Sequence, residues 1–459
     1  MLRFYIMPLL LLAFLTSEAA GVTIEPDNPN YQYSGRIDFS NPKAPMMFWP
    51  GTSIRATFQG AVLKIILNDA HGKSFYSVFI DNDFEHPFII ECEAGEKVYD
   101  GPAGLTDDAH TLLLFRRTEA STGPTIFLGL DLKSGQALLE PPARPERRIE
   151  FYGNSITCGM GNEAPDSGDD DKMAEENNFL SYAAITARNL EAEYSCIAKS
   201  GIGILISWFD LVMPDYYYRL DPENSNSRWN FANYNPDAVI VNLFQNDSWL
   251  IKNLDPVPDS AAIVSAYIDF IGKIRSEYAE AKIFCTLGSM DATKSGSPWP
   301  GYIESAVVHK RAQGDENIEI YFFPFKNWSK HPRVRHHKEM ADCLTQFVGV
   351  KMGWIPDDST AVGFKDDAFL PDDLKLTHNF PNPFNPATVF EFTANQSGRA
   401  DILVYNAQGR LVREEKVQVS AGRFYSANLD LHGETTGVYL YGVRMPDNSS
   451  KFQKMLLLK

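Results

Sequence analysis

Between Val22 and about Glu140 the apolar and polar positions alternate in short runs. Ser53-Ile54-Arg55-Ala56-Thr57-Phe58 has the period of a half-buried strand, and Val62–Leu67, Phe75–Ile80 and Thr111–Phe115 repeat the theme at short spacing. Turn-forming clusters separate them, among them Asn68-Asp69-Ala70-His71-Gly72 and Glu93-Ala94-Gly95. No helical period survives beyond two turns. Many short strands with regular turns predict a β-sandwich of jelly-roll type over residues 20–145. The stiff segment Pro141-Pro142-Ala143-Arg144-Pro145 closes that region.

The rhythm then changes. Ile149–Tyr152 is a short strand, and Phe179–Leu190 is amphipathic, with Phe179, Tyr182, Ala183, Thr186 and Leu190 on one side. Ala238–Leu243, apolar at every position but Asn242, reads as a strand buried on both faces. Helical patterns over 261–278, 302–311 and 336–350 are interleaved with strands at 282–286 and 318–323. Strands alternating with helices over 146–355 predict a parallel sheet in an α/β/α arrangement. Such sheets place their sites at the carboxyl ends of the strands. An acidic, polar linker follows over 356–373. From Leu374 the pattern returns to strands only, at 389–393, 400–406, 411–417, 437–444 and 452–458, which predicts a small immunoglobulin-like sandwich over 374–459. Residues 1–19 stand apart: Arg3, the apolar run Phe4–Leu15 and Ser17-Glu18-Ala19 have the layout of a secretory signal peptide. No later apolar run approaches membrane-spanning length, so the mature chain is expected to be exported without a transmembrane segment.

Charge narrows the partners. The chain of 459 residues has 42 basic against 59 acidic side chains, a net charge of −17, and no basic stripe, which argues against nucleic acid. Aromatic residues make up 12% and favour a β-rich or sugar-facing protein. The five cysteines (Cys92, Cys158, Cys196, Cys285 and Cys343) are widely spaced and form no CxxC pair, so neither a metal framework nor a disulfide scaffold is indicated.

The sharpest local feature is Phe151-Tyr152-Gly153-Asn154-Ser155-Ile156-Thr157-Cys158-Gly159. A buried strand running into glycine and serine ahead of a helix lifts the serine hydroxyl out at the end of the sheet. A serine hydroxyl needs a neighbouring base to act as a nucleophile. His331 is the candidate, since Pro332 holds it extended just before the last helix. His336 and His337 fall within the helix and complete no metal ligand set, so no metal or other cofactor is expected. A hydrolase also requires donors where negative charge develops. Ser200-Gly201-Ile202-Gly203 and Phe244-Gln245-Asn246-Asp247, each following a buried strand, supply a backbone N–H at Gly201 and a side-chain amide at Asn246.

Taken in order, Gly153-Asn154-Ser155-Ile156-Thr157, Gly201, Asn246-Asp247 and His331-Pro332 resemble the four blocks of SGNH hydrolases. With Gly35-Arg36 and Trp49-Pro50-Gly51 in the preceding sandwich, residues 30–350 resemble carbohydrate esterase family 2. That resemblance implies a serine esterase that removes acetyl groups from plant polysaccharides such as xylan or glucomannan. Ser155 would be the nucleophile and His331 the base. The N–H groups of Ser155 and Gly201 and the Asn246 amide would form the oxyanion hole. The string Asn379-Phe380-Pro381-Asn382-Pro383-Phe384-Asn385-Pro386-Ala387-Thr388, with Gly409, Gly437-Val438-Tyr439 and Lys454-Met455, resembles the sorting domain of type IX secretion. It implies the type IX machinery as a partner and a secreted or cell-surface location.

Two departures from the family pattern matter. The aspartate that usually stands two or three residues before the histidine is replaced by Ser329 and Trp328, so a Ser–His dyad is expected, with His331 oriented by a main-chain carbonyl or a remote acid. Phe244-Gln245 stands where a small Gly-Thr pair is common, and a bulky pair there is expected to narrow or reshape the acyl pocket. Trp208, Trp249 and Trp299 are candidate sugar platforms. The acidic loop Glu163–Glu176 lacks the spacing of a calcium-binding loop and reads as solvated. The alternatives kept beside the acetyl esterase are a general small-acyl esterase or lipase and a catalytically inactive polysaccharide-binding protein.

Overall fold

The computed structural model describes residues 21–355 except 327, and 374–459 except 377–378, 380–381, 395 and 420–423. The expected signal peptide and the linker over 356–373 lie outside the described residues. The chain forms two compact units, Met1–Pro356 and Asp357–Lys459.

The first part of unit one contains two six-stranded antiparallel sheets. Alternation decides which side chains meet between them. In Ser53–Gln59, Ile54, Ala56 and Phe58 point into a shared core with Ile65, Leu67, Val78, Leu112 and Leu114. The strand Ala109–Arg116 is apolar on both faces because it is buried on both. Leu112 and Leu114 face the inter-sheet core, while Leu113 and Phe115 join Phe79 on the outer face, against Phe179 and Tyr194 of the α/β region. Two residues of the motifs singled out above fasten this contact. Arg36 is fully buried, 3.1 Å from Glu150 Oε1, and donates to the carbonyls of Tyr217 and Arg219. The indole N–H of Trp49 donates to Leu220 O at 2.8 Å.

The centre of unit one is a five-stranded parallel sheet ordered 192–198, 147–153, 238–242, 282–287, 318–322. Its strands are buried on both faces, which accounts for near-continuous apolar runs such as Ala238–Asn242. Helices α1 (Ser155–Cys158), α2 (Tyr182–Asn189), α3 (Gln245–Leu250), α4 (Ser260–Glu277), α5 (Trp299–Ala312) and α6 (Val334–Met352) connect and cover it. Gly153 lies opposite both Ala198 and Asn242, so the strands 192–198, 147–153 and 238–242 finish level with one another. The strand order reverses at 147–153, and that is where an open α/β sheet leaves a crevice.

Unit two has a three-stranded and a four-stranded antiparallel sheet around a core that includes Phe390, Phe392, Val404, Leu429, Tyr441 and Met455. The Asn-Pro string is tied to the last strand: Asn382 Oδ1 accepts the Leu456 N–H, and the Phe384 N–H donates to Leu456 O, both at 2.9 Å.

Candidate active site

The strand 147–153 delivers Ser155 through a turn whose residues each have a local reason. A Cβ at Gly153 would lie 2.0 Å from Thr157 Oγ1, so only glycine fits there. Asn154 Oδ1 accepts the Ile156 N–H and caps α1, and Gly159, at φ +86°, ends it after one turn. Ser155 therefore occupies the first helical position, where an N–H has no intrahelical acceptor.

His331, on the loop before α6, places Nε2 2.8 Å from Ser155 Oγ. Its Nδ1 lies 2.9 Å from Asp170 Oδ2, and the same oxygen accepts the His331 main-chain N–H at 2.9 Å. The other carboxylate oxygen, Oδ1, accepts Arg333 Nη1 at 2.6 Å, and Arg333, only 2% exposed, is held in turn by Gly161 O at 2.7 Å. Burial alone would raise the Asp170 carboxyl. The hydrogen bonds from the His331 side chain and main chain, and then from Arg333, outweigh it and hold the group well below the ordinary carboxylate range. An ionised Asp170 fixes the imidazole proton on Nδ1 and leaves the Nε2 lone pair facing the serine hydroxyl. Of the two expected means of orienting His331, the structure has the remote acid.

Asp170 belongs to the acidic loop expected to be solvated; most of that loop is exposed, and Asp170 is its residue drawn in against His331 and Arg333. The loop is pinned by cations: Asp166 pairs with Arg335 at 2.6 Å, Asp169 with Lys330 at 3.2 Å, and Glu163 with Arg117.

The proposed oxyanion donors follow the level ends of the strands 147–153, 192–198 and 238–242. Neither the Ser155 nor the Gly201 N–H has an acceptor among the described residues. Gly201 sits at φ +82°, a conformation that glycine adopts without strain. Asn246 is buried and locked at both ends of its amide: Nδ2 donates to Ile202 O at 2.8 Å and Oδ1 accepts the Trp208 indole N–H at 3.2 Å. That arrangement leaves one N–H of the amide for a ligand. Asp247 is buried and accepts the N–H groups of Ile204, Leu205 and Ile206, which shapes the turn after Gly201. Burial, only partly offset by those donors, pushes its carboxyl up to about 6.

Glu119 was not singled out from the sequence. It lies in the antiparallel-sheet region, yet its Oε2 accepts the Ser200 N–H at 2.7 Å, one residue before Gly201, and also the Cys158 thiol. Its own N–H donates to Glu176 Oε1 at 2.6 Å. Burial, and then the charge of Glu119, push the Glu176 carboxyl well above its usual value.

The three tryptophans separate. Trp208 is 63% exposed beside Gly201 and Asn246. Trp249 is half-buried, and its indole N–H donates to the Asp291 carboxylate at 2.8 Å. Trp299 is corrected to a core residue, 6% exposed and packed on Phe244 and Tyr302, out of reach of a sugar. Phe244 is also corrected. Its ring is fully buried between Tyr267 and Trp299, so it does not line an acyl pocket, and its φ of +84° is the left-handed conformation that glycine would take there. Gln245 is buried too and binds Asp291 and the Ala292 N–H.

A serine at the end of a five-stranded parallel sheet, an imidazole on the loop before the last helix and the Asn246 block between them have the layout of the SGNH fold. Residues 33–142 match the carbohydrate esterase 2 N-terminal family and residues 378–458 the secretion system C-terminal sorting domain. Cellulase/esterase CelE of Acetivibrio thermocellus is 35% identical over 342 residues, 72% of this chain, and the match spans 41% of CelE's own length. An acetylxylan esterase / glucomannan deacetylase of Cellvibrio japonicus is 27% identical over 72% of this chain and 92% of the relative. Among solved structures, a family two carbohydrate esterase from Clostridium thermocellum in complex with cellohexaose superposes with a TM-score of 0.65 at 33% identity, covering 71% of this chain and 100% of that one. The chain belongs to carbohydrate esterase family 2. Its C-terminal module is a type IX sorting domain, which makes the protein secreted or cell-surface.

Proposed function

We propose that the protein removes O-acetyl groups from polysaccharides such as xylan and glucomannan. The observation that carries this reading is the unbroken relay Ser155–His331–Asp170, with separations of 2.8 and 2.9 Å. Ser155 Oγ attacks the acetyl carbonyl while His331 Nε2 takes its proton. The oxyanion is received by the N–H groups of Ser155 and Gly201 and by the Asn246 amide. As the carbon–oxygen bond to the sugar breaks, His331 returns the proton to the departing sugar oxygen. It then takes a proton from water as that water attacks the acyl carbon, and passes it to Ser155 Oγ as the acyl bond breaks, which releases acetate and restores Ser155. The Asp170 carboxylate stabilises the imidazolium formed in each half-reaction. Trp208, exposed beside the oxyanion donors, is the sugar platform. The cellohexaose in the Clostridium thermocellum relative supports a cleft that takes an oligosaccharide chain.

Within unit one, residues 20–145 form a jelly-roll sandwich and 146–355 the hydrolase domain. Residues 374–459 form an immunoglobulin-like sandwich read by the type IX machinery, and residues 1–19 are removed on export. The deciding measurement is acetate release from acetylated xylan and glucomannan by wild type and Ser155→Ala. Release by wild type alone is expected. No release from either substrate would overturn the esterase reading, and equal release by the variant would overturn the role of Ser155.

A further inference from the structure

A second concave site lies between the antiparallel sheets and the α/β region, bordered by Ser53, Arg55, Arg144, Arg188, Glu193 and Tyr194. It is at the opposite end of the parallel sheet from Ser155. Glu193 pairs in register with Arg148, near the start of the strand that ends at Gly153. Five residues of strand separate those two levels, about 16 Å at the rise of a parallel strand.

The charges in this site do not balance. Glu193 is already occupied, bonded to Arg144 at 2.9 Å and to Ser34 Oγ at 3.1 Å, with Arg148 at 3.7 Å. Arg55 and Arg188 have no ion pair or side-chain hydrogen bond among the described residues, although both are half-buried. Arg188 lies over the Phe179 ring at 3.6 Å, which orders the guanidinium without neutralising it. Elsewhere in the same molecule, withdrawn arginines have fixed acceptors: Arg36 has Glu150, Arg275 has Asp315 and Arg333 has Asp170, while Arg116 and Arg219, without a carboxylate, donate to carbonyl or hydroxyl oxygens. Burial, and then the like charge of Arg55, push the Arg188 guanidinium down to about 10, whereas Glu150 raises Arg36 against a larger burial. Glu193 is the carboxylate of this site and is shared with Arg144 and Arg148, so two adjoining guanidinium groups with neither an ion pair nor a side-chain hydrogen bond are an exception that a bound anion would resolve.

We propose that Arg55 and Arg188 form a binding site for a small organic monocarboxylate, separate from the catalytic centre. Guanidinium groups match a carboxylate through paired, parallel hydrogen bonds. Leu113, Phe115, Phe179 and Ala184 give the wall an apolar part, which suits a short hydrocarbon body better than a fully hydrated phosphate.

Isothermal titration of the full chain with sodium butyrate, at ionic strength matched with sodium chloride, tests the site. Wild type is expected to bind one equivalent saturably. Arg55→Gln and Arg188→Gln are each expected to weaken binding at least tenfold, with turnover of a soluble acetyl ester unchanged as the measure of folding. A crystal of the wild type grown with butyrate should place the carboxylate against Arg188, a readout that needs no variant. Four results would overturn the proposal: no saturable binding by wild type, undiminished affinity in both folded variants, tighter binding of inorganic phosphate than of butyrate, or butyrate located only elsewhere in the crystal.

Discussion

Asp170 Oδ2 takes both the main-chain N–H and the Nδ1 side of His331 at 2.9 Å, across 161 positions of sequence. One oxygen thus sets the loop and the ring together. Replacing Asp170 with Asn would leave a side chain of the same shape and remove the charge that stabilises the imidazolium. Asp170→Asn is expected to lower kcat roughly 10³-fold or more, with KM for a small acetyl ester little changed. Steady-state kinetics check this, and a kcat within twofold of wild type would refute the relay. Ser329→Asp, which restores an acid at the more usual position, is expected to leave kcat unchanged because His331 Nδ1 is already engaged.

Asp170 and Asp247 should mark the pH dependence of stability with opposite signs. The folded value of Asp170 is depressed, so its contribution is fully present above the unfolded value of about 3.9 and is lost as pH falls through the depressed one. The stability gap between wild type and Asp170→Asn should therefore hold from pH 7 to 5 and shrink below pH 4. Asp247 is raised to about 6, so the folded state binds the extra proton and that contribution fades as pH rises from about 4 through 6. Asp247→Asn should flatten the stability profile in that window. Urea unfolding from pH 3 to 7 measures both. An Asp170→Asn gap that widens on acidification would contradict the assignment.

Glu119 gives the antiparallel sheets a direct part in the catalytic end. By holding the Ser200 N–H at 2.7 Å it sets the peptide that leads to Gly201. It acts through that backbone and is a positioning residue. Glu119→Gln keeps an acceptor in place and is expected to retain near-wild-type kcat. Glu119→Ala should lose about tenfold in kcat at unchanged KM, less than the 10²–10³ typical of deleting an oxyanion donor outright. Equal losses in both variants would point to the charge of Glu119 and not to its acceptor.

The contrast between Ser155 and Asp170 shows what a linear sequence can disclose. Gly153, Asn154, Ser155 and Gly159 are explained by contacts within seven residues, so strand, turn and hydroxyl could be read together. The alternation of Ile54, Ala56 and Phe58 and the apolar run at Ala238 announced their sheets for the same local reason. Asp170 offers no such signal. It stands in a run of three aspartates, and only the tertiary position of Arg333 and His331 selects it. One clue was present, since Arg333, two residues past His331, is a cation that a buried site must neutralise. Trp299 and Phe244 were misplaced because a large aromatic near a strand end has the same sequence character in a cleft or a core.

On the function proposed above, Trp208 joins a sugar contact to the geometry of Asn246, and two variants can part those roles. Its indole N–H fixes the Asn246 amide at 3.2 Å while its exposed face offers a surface to a sugar ring. Trp208→Phe keeps an aromatic face and loses the hydrogen bond, so the amide is held only through Ile202 O. It is expected to lower kcat several-fold on both a small acetyl ester and acetylated xylan, with KM for the polysaccharide nearly unchanged. Trp208→Ala should add a rise in KM of about tenfold confined to the polysaccharide, in line with ~1–1.5 kcal/mol for a lost aromatic contact. Paired kinetics on the two substrates decide the matter. A KM for acetylated xylan that Trp208→Ala leaves unmoved would remove Trp208 from the sugar-binding surface and confine it to orienting Asn246.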